Sequence, residues 1–254
     1  MKTARKVRFP GDDTVLRVAF YSMLIAVICA LVFDYREMIE QTPVEISLPN
    51  NPVLPAFVPP GLDTDEEPDR VSPKVETAQE VLRQPLQIEL VTDGVLNVTG
   101  MISVGSAKLF EEKTQNIIEY IKVVNLNSPG GSVNDALEIS DLIRKNELST
   151  KVASGALCAS SCPIVLAGGK ERLAGEKAAI GVHQVYSGSR EPKSADQALS
   201  EGQSVTARIT RHLEAMGVDP VLWIHALETP PNKLYYLSVE ELEKFKLAVV
   251  SPDA

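Results

Sequence analysis

The chain has 254 residues, of which 44% are apolar and 23% charged, and its formal net charge is -9. These proportions suit a globular protein and exclude a collagen-like, fully disordered or disulfide-scaffold chain. An acidic body without a basic stripe argues against nucleic acid as a partner, because phosphate contacts need clustered Lys and Arg.

The charge is distributed unevenly. Residues 1–17 carry five Lys/Arg against two Asp, residues 34–85 carry four against eleven, and residues 86–254 carry sixteen against twenty-one. Residues 18–33 carry none, and extending the apolar run back to Val15 gives a stretch of the roughly 20 residues that a spanning helix needs, with Arg17 snorkelling toward the headgroups. Lys2, Arg5, Lys6 and Arg8 precede this run, whereas Asp34, Glu37 and Glu40 follow it. The positive-inside bias therefore predicts a cytoplasmic N-terminus at 1–14, a transmembrane anchor at 15–33 and export of the rest. A cleaved signal peptide competes, with Ala30 as the small residue, but the A-x-A pattern is poor and the run is long. Cys29 lies within this run and reads as a small hydrophobe.

Residues 34–85 hold nine of the seventeen prolines, among them Pro49, Pro52, Pro55, Pro59 and Pro60, and an acidic cluster at 63–69. Such a segment lacks the periodic apolar residues that offset ordering entropy, so it reads as an extended tether. A wrap of the apolar piece 53–58 on the domain surface stays open. Residues 86–254 are numerous enough for one well-buried core.

Within that domain, Leu86, Ile88 and Leu90 alternate, as do Leu96, Val98 and Gly100, with Asp93-Gly94 between them, which predicts a β-hairpin. Residues 106–120 read as a helix with Leu109, Ile117 and Ile118 on or near one face. Residues 123–126 read as a short strand entering Ser128-Pro129-Gly130-Gly131, and a helix follows at about 132–145. Further on, the pattern predicts a strand at 151–154, a helix of small and apolar residues at 159–168, a strand at 178–185 ending in a polar loop at 187–193, and a long helix at 195–216 stopped by Gly217. Alternating strands and helices specify an α/β fold class with layers packed on a sheet.

Three pieces could carry chemistry. The glycine pair between strand and helix lets backbone N–H groups approach a ligand, and the helix dipole favours negative charge there. It is neither a Walker A loop nor a G-x-G-x-x-G fingerprint, and taken alone it is more simply a tight turn. In Cys158-Ala159-Ser160-Ser161-Cys162-Pro163, a serine at a helix start has its hydroxyl beside free N–H groups; taken alone, that serine is more simply an N-cap. His183, at the end of an apolar strand, is by itself a structural residue. His212 and His225 have no motif partner and read as packing or surface residues.

Together, in this order, the pieces resemble the Clp protease proteolytic subunit and its relatives in the ClpP/crotonase-like superfamily, over about residues 95–250. The resemblance implies a ClpP/crotonase-like layered domain behind one N-terminal transmembrane helix. It implies Ser160 as nucleophile, His183 as general base, and oxyanion donors at Gly130, Gly131 and the N–H of Ser161. Ser161 is the rival nucleophile, one residue out of register. The Cys-x-Ser-x-Cys form with an N-terminal anchor is most similar to bacterial membrane or periplasmic Clp-like proteins. That likeness implies a single-pass inner-membrane protein with its C-terminal domain in the periplasm. Clp-like domains assemble into rings or trimers, so a homo-oligomer is implied. The apolar positions Leu199, Val205, Ile209, Leu213 and Met216 of the long helix could serve either an interface or intrachain packing.

The chain also departs from the family pattern. The third triad member is an Asp shortly before a Leu-Ser pair, and here residues 230–238 contain no carboxylate. Asn232 could orient the imidazole through its amide oxygen without stabilising the imidazolium as a charge. A weak enzyme, a Ser-His dyad and a catalytically silent descendant all stay open. Cys158 and Cys162, spaced four apart, would have α-carbons about 6 Å apart on a helix, within disulfide range. A bridge and two buried thiols are both consistent with that spacing; a metal pair is disfavoured, since no second ligand cluster is evident. The expectation is a membrane-anchored serine hydrolase, a peptidase acting on exported polypeptides or peptides, with no metal and no cofactor. The alternatives are a silent peptide-binding or scaffold module, and an acyl-CoA enzyme of the crotonase type, which export from the cytosol argues against.

Overall fold

The structure is a computed structural model that describes residues 12–40, 73–186 and 194–252. The basic residues at 2–8, most of the Pro-rich acidic segment and the loop at 187–193 lie outside the described residues. The chain divides into two units, Met1–Pro52 and Val53–Ala254. In the first, α1 (Asp12–Glu40) is one continuous helix, and its segment Val15–Arg36 is long and apolar enough to cross a membrane. Its described side chains, Cys29 included, are exposed, and no amphipathic stripe sets one face apart.

In the second unit the chain passes through a short α2 (Gln79–Leu82) into β1 (Gln87–Leu90) and β2 (Val95–Thr99), an antiparallel hairpin. Its turn contains Asp93 and Gly94, both at positive φ. There follow α3 (Ser106–Thr114), β3 (Val123–Asn127), α4 (Val133–Lys145), β4 (Ser149–Val152), β5 (Leu157–Ala159), α5 (Cys162–Ala167), β6 (Arg172–Ala174) and β7 (Ala179–Val182). The chain ends through α6 (Ala195–Ala215), α7 (Leu222–Glu228), β8 (Tyr235–Tyr236), α8 (Val239–Lys244) and β9 (Val249–Val250).

The main sheet has the order β1-β2-β3-β4-β6-β9, parallel throughout except for the first hairpin. Alternation along its strands sends Leu96, Val98, Val124, Leu126 and Val152 to one buried face. Against them pack Ala136, Ile139 and Ile143 of α4, spaced three and four apart as a helix stripe requires. Every residue of α5 is buried, as expected of a short helix that is apolar all round. A second sheet, β5-β7-β8, lies beyond the main one, and its first strand is bridged to Ser128, the residue that follows β3.

Polar groups close the helix ends. The Arg144 guanidinium donates to the carbonyls of Ala167 and Met216, both at 3.1 Å, and Thr150 Oγ1 donates to Leu166 at 2.7 Å. These satisfy carbonyls that the ends of α5 and α6 would otherwise leave unpaired in the interior. His212 is partly buried on α6 with Nε2 2.8 Å from the Ser140 hydroxyl. Burial holds its pKa below the usual value; Asp141 pulls it upward and Arg144 pushes it further down.

The structure departs from the sequence expectations in five places, the strand expected at 178–185 being one of them, since β7 ends at Val182. The predicted helix at 106–120 ends at Thr114, whose Oγ1 turns back to the Phe110 carbonyl at 2.8 Å; the β-branched pair Ile117-Ile118 then leads into a 3-10 turn, Ile118–Tyr120. The strand expected at 151–154 sits two residues earlier, at Ser149–Val152. The helix expected at 159–168 is instead a strand, a turn and a shorter helix, because β5 finds pairing partners on both sides. Residues 73–85, read as the end of the tether, belong to the folded unit. Glu76 donates its N–H to the Gly155 carbonyl at 2.9 Å, and Leu82 is buried against Leu157, Ala159 and Ala179.

On the long helix α6, Ile209 and Leu213 are buried in the core whereas Leu199 is 63% exposed, so its apolar residues divide between packing and surface. The Tyr236 ring packs against the Leu82 cluster, and burial pushes its phenol up to about 12. Because this lies above the ordinary value near 10, the stabilising contribution is complete below pH ~10 and is lost as pH rises through ~12. Phenolate absorbance followed against pH should therefore show a late step near 12 that disappears in Tyr236→Phe.

Candidate active site

β5 is a buried three-residue strand, and at its C-terminal end the chain must turn sharply to start α5. Ser160 makes that turn with φ 61°, in the left-handed region, at a cost of about 1 to 2 kcal/mol for a residue with a side chain. Its N–H donates to the Gly181 carbonyl on β7 at 2.9 Å, which fixes the turn to the neighbouring strand. Ser161 then begins α5, and Pro163 occupies the first turn, where a missing N–H costs nothing. Cys158 and Cys162 are joined by a disulfide across this turn, with Cα atoms 5.1 Å apart.

The two serines are in different environments. Ser160 is half-exposed, whereas Ser161 is 2% exposed and its buried hydroxyl has no hydrogen-bond partner among the described residues. The side chain that solvent and a ligand can reach is therefore that of Ser160.

The glycine loop lies directly against this turn. Ser128 pairs with Cys158, donating its N–H to Leu157 at 2.7 Å and accepting from Ala159 at 3.0 Å. That pairing brings Gly130, at φ 89°, so close that a Cβ there would lie 2.5 Å from the Ala159 carbonyl and 2.7 Å from Ser161 N. At Gly131, φ is 143° and a Cβ would lie 2.2 Å from the Ile102 carbonyl. Neither position admits a side chain. The Gly130 N–H donates to Ser128 Oγ at 3.1 Å and is occupied. The N–H groups of Gly131 and Ser161 donate to no backbone carbonyl among the described residues, and that of Ser161 directly follows Ser160 in the chain.

One supporting residue carried no sequence signal beyond a Ser-x-x-Asp helix start. Asp135 is 8% exposed, and its Oδ1 accepts from the N–H groups of Gly105 at 2.9 Å and Ala107 at 3.0 Å. Its Oδ2 accepts from Ser132 Oγ at 2.5 Å. The carboxylate thereby ties the start of α3 to the residue that follows the glycine pair.

His183 follows β7. Ala159 pairs with Gly181, so Ser160 and His183 emerge at the same end of adjacent parallel strands, whose axes are about 4.8 Å apart. His183 Nδ1 lies 2.8 Å from the carbonyl oxygen of Gln184, which can only accept; Nδ1 therefore carries the proton, and the Nε2 lone pair is free. Tyr186 stacks on the ring at 5.8 Å. Burial holds the His183 pKa below its ordinary value, and the Gln184 carbonyl opposes that shift. Among the described residues no hydrogen bond joins the Ser160 hydroxyl to the imidazole. Asn232 is exposed in the loop before β8, and its side chain makes no hydrogen bond to His183. The acceptor on Nδ1 is a main-chain carbonyl that the sequence does not signal.

Among the described residues no group of three or more His, Cys, Asp or Glu side chains is placed to hold a metal ion. A cavity of about 290 Å³ between α3 and α4, lined by Lys108, Glu111, Glu138 and Asp141 among others, contains none of these site residues.

An exposed hydroxyl on a strained strand-to-helix turn, with free amide hydrogens beside it and an imidazole at the neighbouring strand end, has the parts for acyl transfer. The strain is measurable. Ser160→Gly should be more stable than Ser160→Ala by roughly 1 kcal/mol in urea unfolding, because glycine adopts the left-handed conformation freely; equal stabilities would show that the turn is relaxed.

The Clp protease family model matches residues 101–218, a span that contains the glycine loop, both serines and His183. A solved point mutant of ClpP1 from Listeria monocytogenes aligns with a TM-score of 0.49 and 17% identity, covering 63% of this chain and 91% of that one. No curated protein matches. Over residues 101–218, from ahead of the strand that enters the glycine loop through the long helix after His183, the chain is similar to the Clp protease family.

Proposed function

We propose that the protein is a membrane-anchored Clp-like serine hydrolase that acts on peptides or exported polypeptides. The observation that carries the reading is Ser160: half-exposed, held in the left-handed conformation, and packed against the glycine loop. In the proposed reaction Ser160 Oγ attacks the acyl carbon while its proton passes to His183 Nε2. The C=O double bond becomes a single bond to an anionic oxygen held by the N–H groups of Gly131 and Ser161. Each such donor contributes about 3 kcal/mol when aimed at the oxyanion. Collapse of the intermediate expels the amine, which takes the proton from His183, and water then hydrolyses the acyl-serine by the same steps.

α1 acts as the anchor in this reading, and the basic residues before it place the N-terminus inside, with the domain in the periplasm of a bacterial inner membrane. A homo-oligomer fits the resemblance. The Cys158–Cys162 bridge is in keeping with an exported domain, where disulfides persist.

A second reading, a catalytically silent peptide-binding or scaffold module, is favoured by one observation: among the described residues the Ser160 hydroxyl and His183 are not hydrogen-bonded and no carboxylate meets Nδ1. Labelling separates the two. The full chain in detergent should react with a fluorophosphonate probe and Ser160→Ala should not; a wild type that never reacts supports the silent module, and labelling that survives the mutation excludes Ser160 as nucleophile.

The pH dependence follows from burial. Since the His183 pKa is lowered from its ordinary value of about 6.5, the free base persists below that pH. The labelling rate should stay level as pH falls to about 6.5 and decline only below it. A decline beginning above neutrality would assign the limb to another group.

A further inference from the structure

We infer that Gln184 is the positioning residue for the His183 imidazole, orienting by main chain and side chain together the ring that a carboxylate would otherwise orient. The inference rests on the reading of His183 as general base. Three hydrogen bonds carry it. The Gln184 carbonyl accepts from His183 Nδ1 at 2.8 Å. The Gln184 N–H donates to the Thr229 carbonyl at 2.9 Å, and its side-chain Nε2 donates to the Leu227 carbonyl at 2.6 Å.

The last two bonds fasten residue 184 to the chain leaving α7, at two carbonyls two residues apart. That segment is itself held, because Thr229 Oγ1 donates to the His225 carbonyl at 2.6 Å and Thr229 N–H to Ala226 at 3.3 Å. Since Leu227 offers only an acceptor, the Gln184 amide must present its NH₂, and a carboxylate could not replace it. With both donors engaged, the Cα of Gln184 is held from its main chain and its side chain, which fixes the point from which its carbonyl reaches the ring. The ring is thus held in the one tautomer whose Nε2 can accept the serine proton. Asn232, the sequence candidate for this task, is exposed, and its side chain makes no hydrogen bond among the described residues.

The arrangement orients the ring but supplies only a carbonyl dipole to the imidazolium that forms during attack. A carboxylate supplies a full charge, and its hydrogen bond to a cation is roughly twice as strong as a neutral one. Gln184 therefore governs which nitrogen is protonated and where Nε2 points.

The test uses the full chain in detergent with ¹⁵N-labelled histidine, the three histidines being told apart by the signal lost in His183→Gln. In the wild type His183 should show the Nδ1–H tautomer at neutral pH. In Gln184→Ala it should show a mixture with the Nε2–H form. The limiting rate of fluorophosphonate labelling should fall roughly ten- to a hundredfold while the half-saturating probe concentration stays the same, as expected of a misplaced but intact base. Gln184→Glu, which keeps the volume but cannot donate to Leu227, should behave like Gln184→Ala and covers the case in which the alanine variant fails to fold. Both variants keeping the wild-type tautomer and limiting rate would overturn the inference. If the wild type never reacts with the probe, the serine-hydrolase reading fails by itself. The tautomer signal then decides the role of Gln184 alone, its change upholding the inference and its persistence overturning it.

Discussion

The site depends on one backbone contact, the parallel pairing of Ser128 with Cys158. Two hydrogen bonds, at 2.7 and 3.0 Å, continue the main sheet past the end of β3 into the smaller sheet. With that pairing made, Gly130 runs against the Ser160 turn and Gly131 against Ile102, each at a separation that only hydrogen can fill. Tight main-chain approach brings free amide hydrogens and an exposed hydroxyl to one place before any side chain is considered. It also explains why the strained turn persists: Ser160 is held on one side by Gly181 on β7 and faced on the other by Gly130, and the disulfide between Cys158 and Cys162 spans it.

Around this contact the supports are polar and buried. Asp135 gathers three donors from two helix starts, and the Ile102 carbonyl accepts the Ser132 N–H at 2.6 Å, so the segment leading into α3 braces the glycine loop from outside. A buried carboxylate with its partners in place costs little, whereas removing one partner would leave a charge uncompensated. On the far side of the smaller sheet, Thr77 accepts from Asn127 Nδ2 at 2.7 Å while Asn127 Oδ1 accepts from Leu157 N–H at 3.1 Å. The residue that ends β3 is thereby locked to β5 and to the segment that precedes α2. The imidazole, by contrast, is held from its own strand end through Gln184, by groups that carry no formal charge.

Much of the layered architecture was legible because hydrophobic periodicity reports directly on burial. The hairpin at 87–99, the helix after the glycine pair and the long helix at 195–215 all appear where alternation or helical spacing places them. The failures share a cause. Cys158, Ala159, Ile164 and Ala167 are apolar and small in both a strand and a helix, so periodicity could not divide 157–167 into β5, a turn and α5; the division comes from Ser128 and Gly181 pairing on either side. Residues 73–85 read as tether because they continue a proline-rich, acidic stretch and show no apolar period, yet Val75 and Leu82 meet apolar partners from β5 and β7 that lie far away in the chain. Short elements such as β6, β8 and β9 carry too few residues to show a period at all.

The sequence by itself determined the chemistry available: an apolar run long enough for a membrane span, a glycine pair at the start of a helix, two serines between two cysteines, and a histidine after an apolar strand. These are properties of residue type and local order, and they persist in any fold that keeps them. Tertiary structure alone decided which serine is open to solvent, which amide hydrogens are unoccupied, and what holds the imidazole. Each of those depends on contacts between segments distant in sequence, such as Gly130 with Ala159 or Gln184 with Leu227. Burial and hydrogen-bond saturation are properties of the assembled chain, so a linear pattern cannot encode them by position.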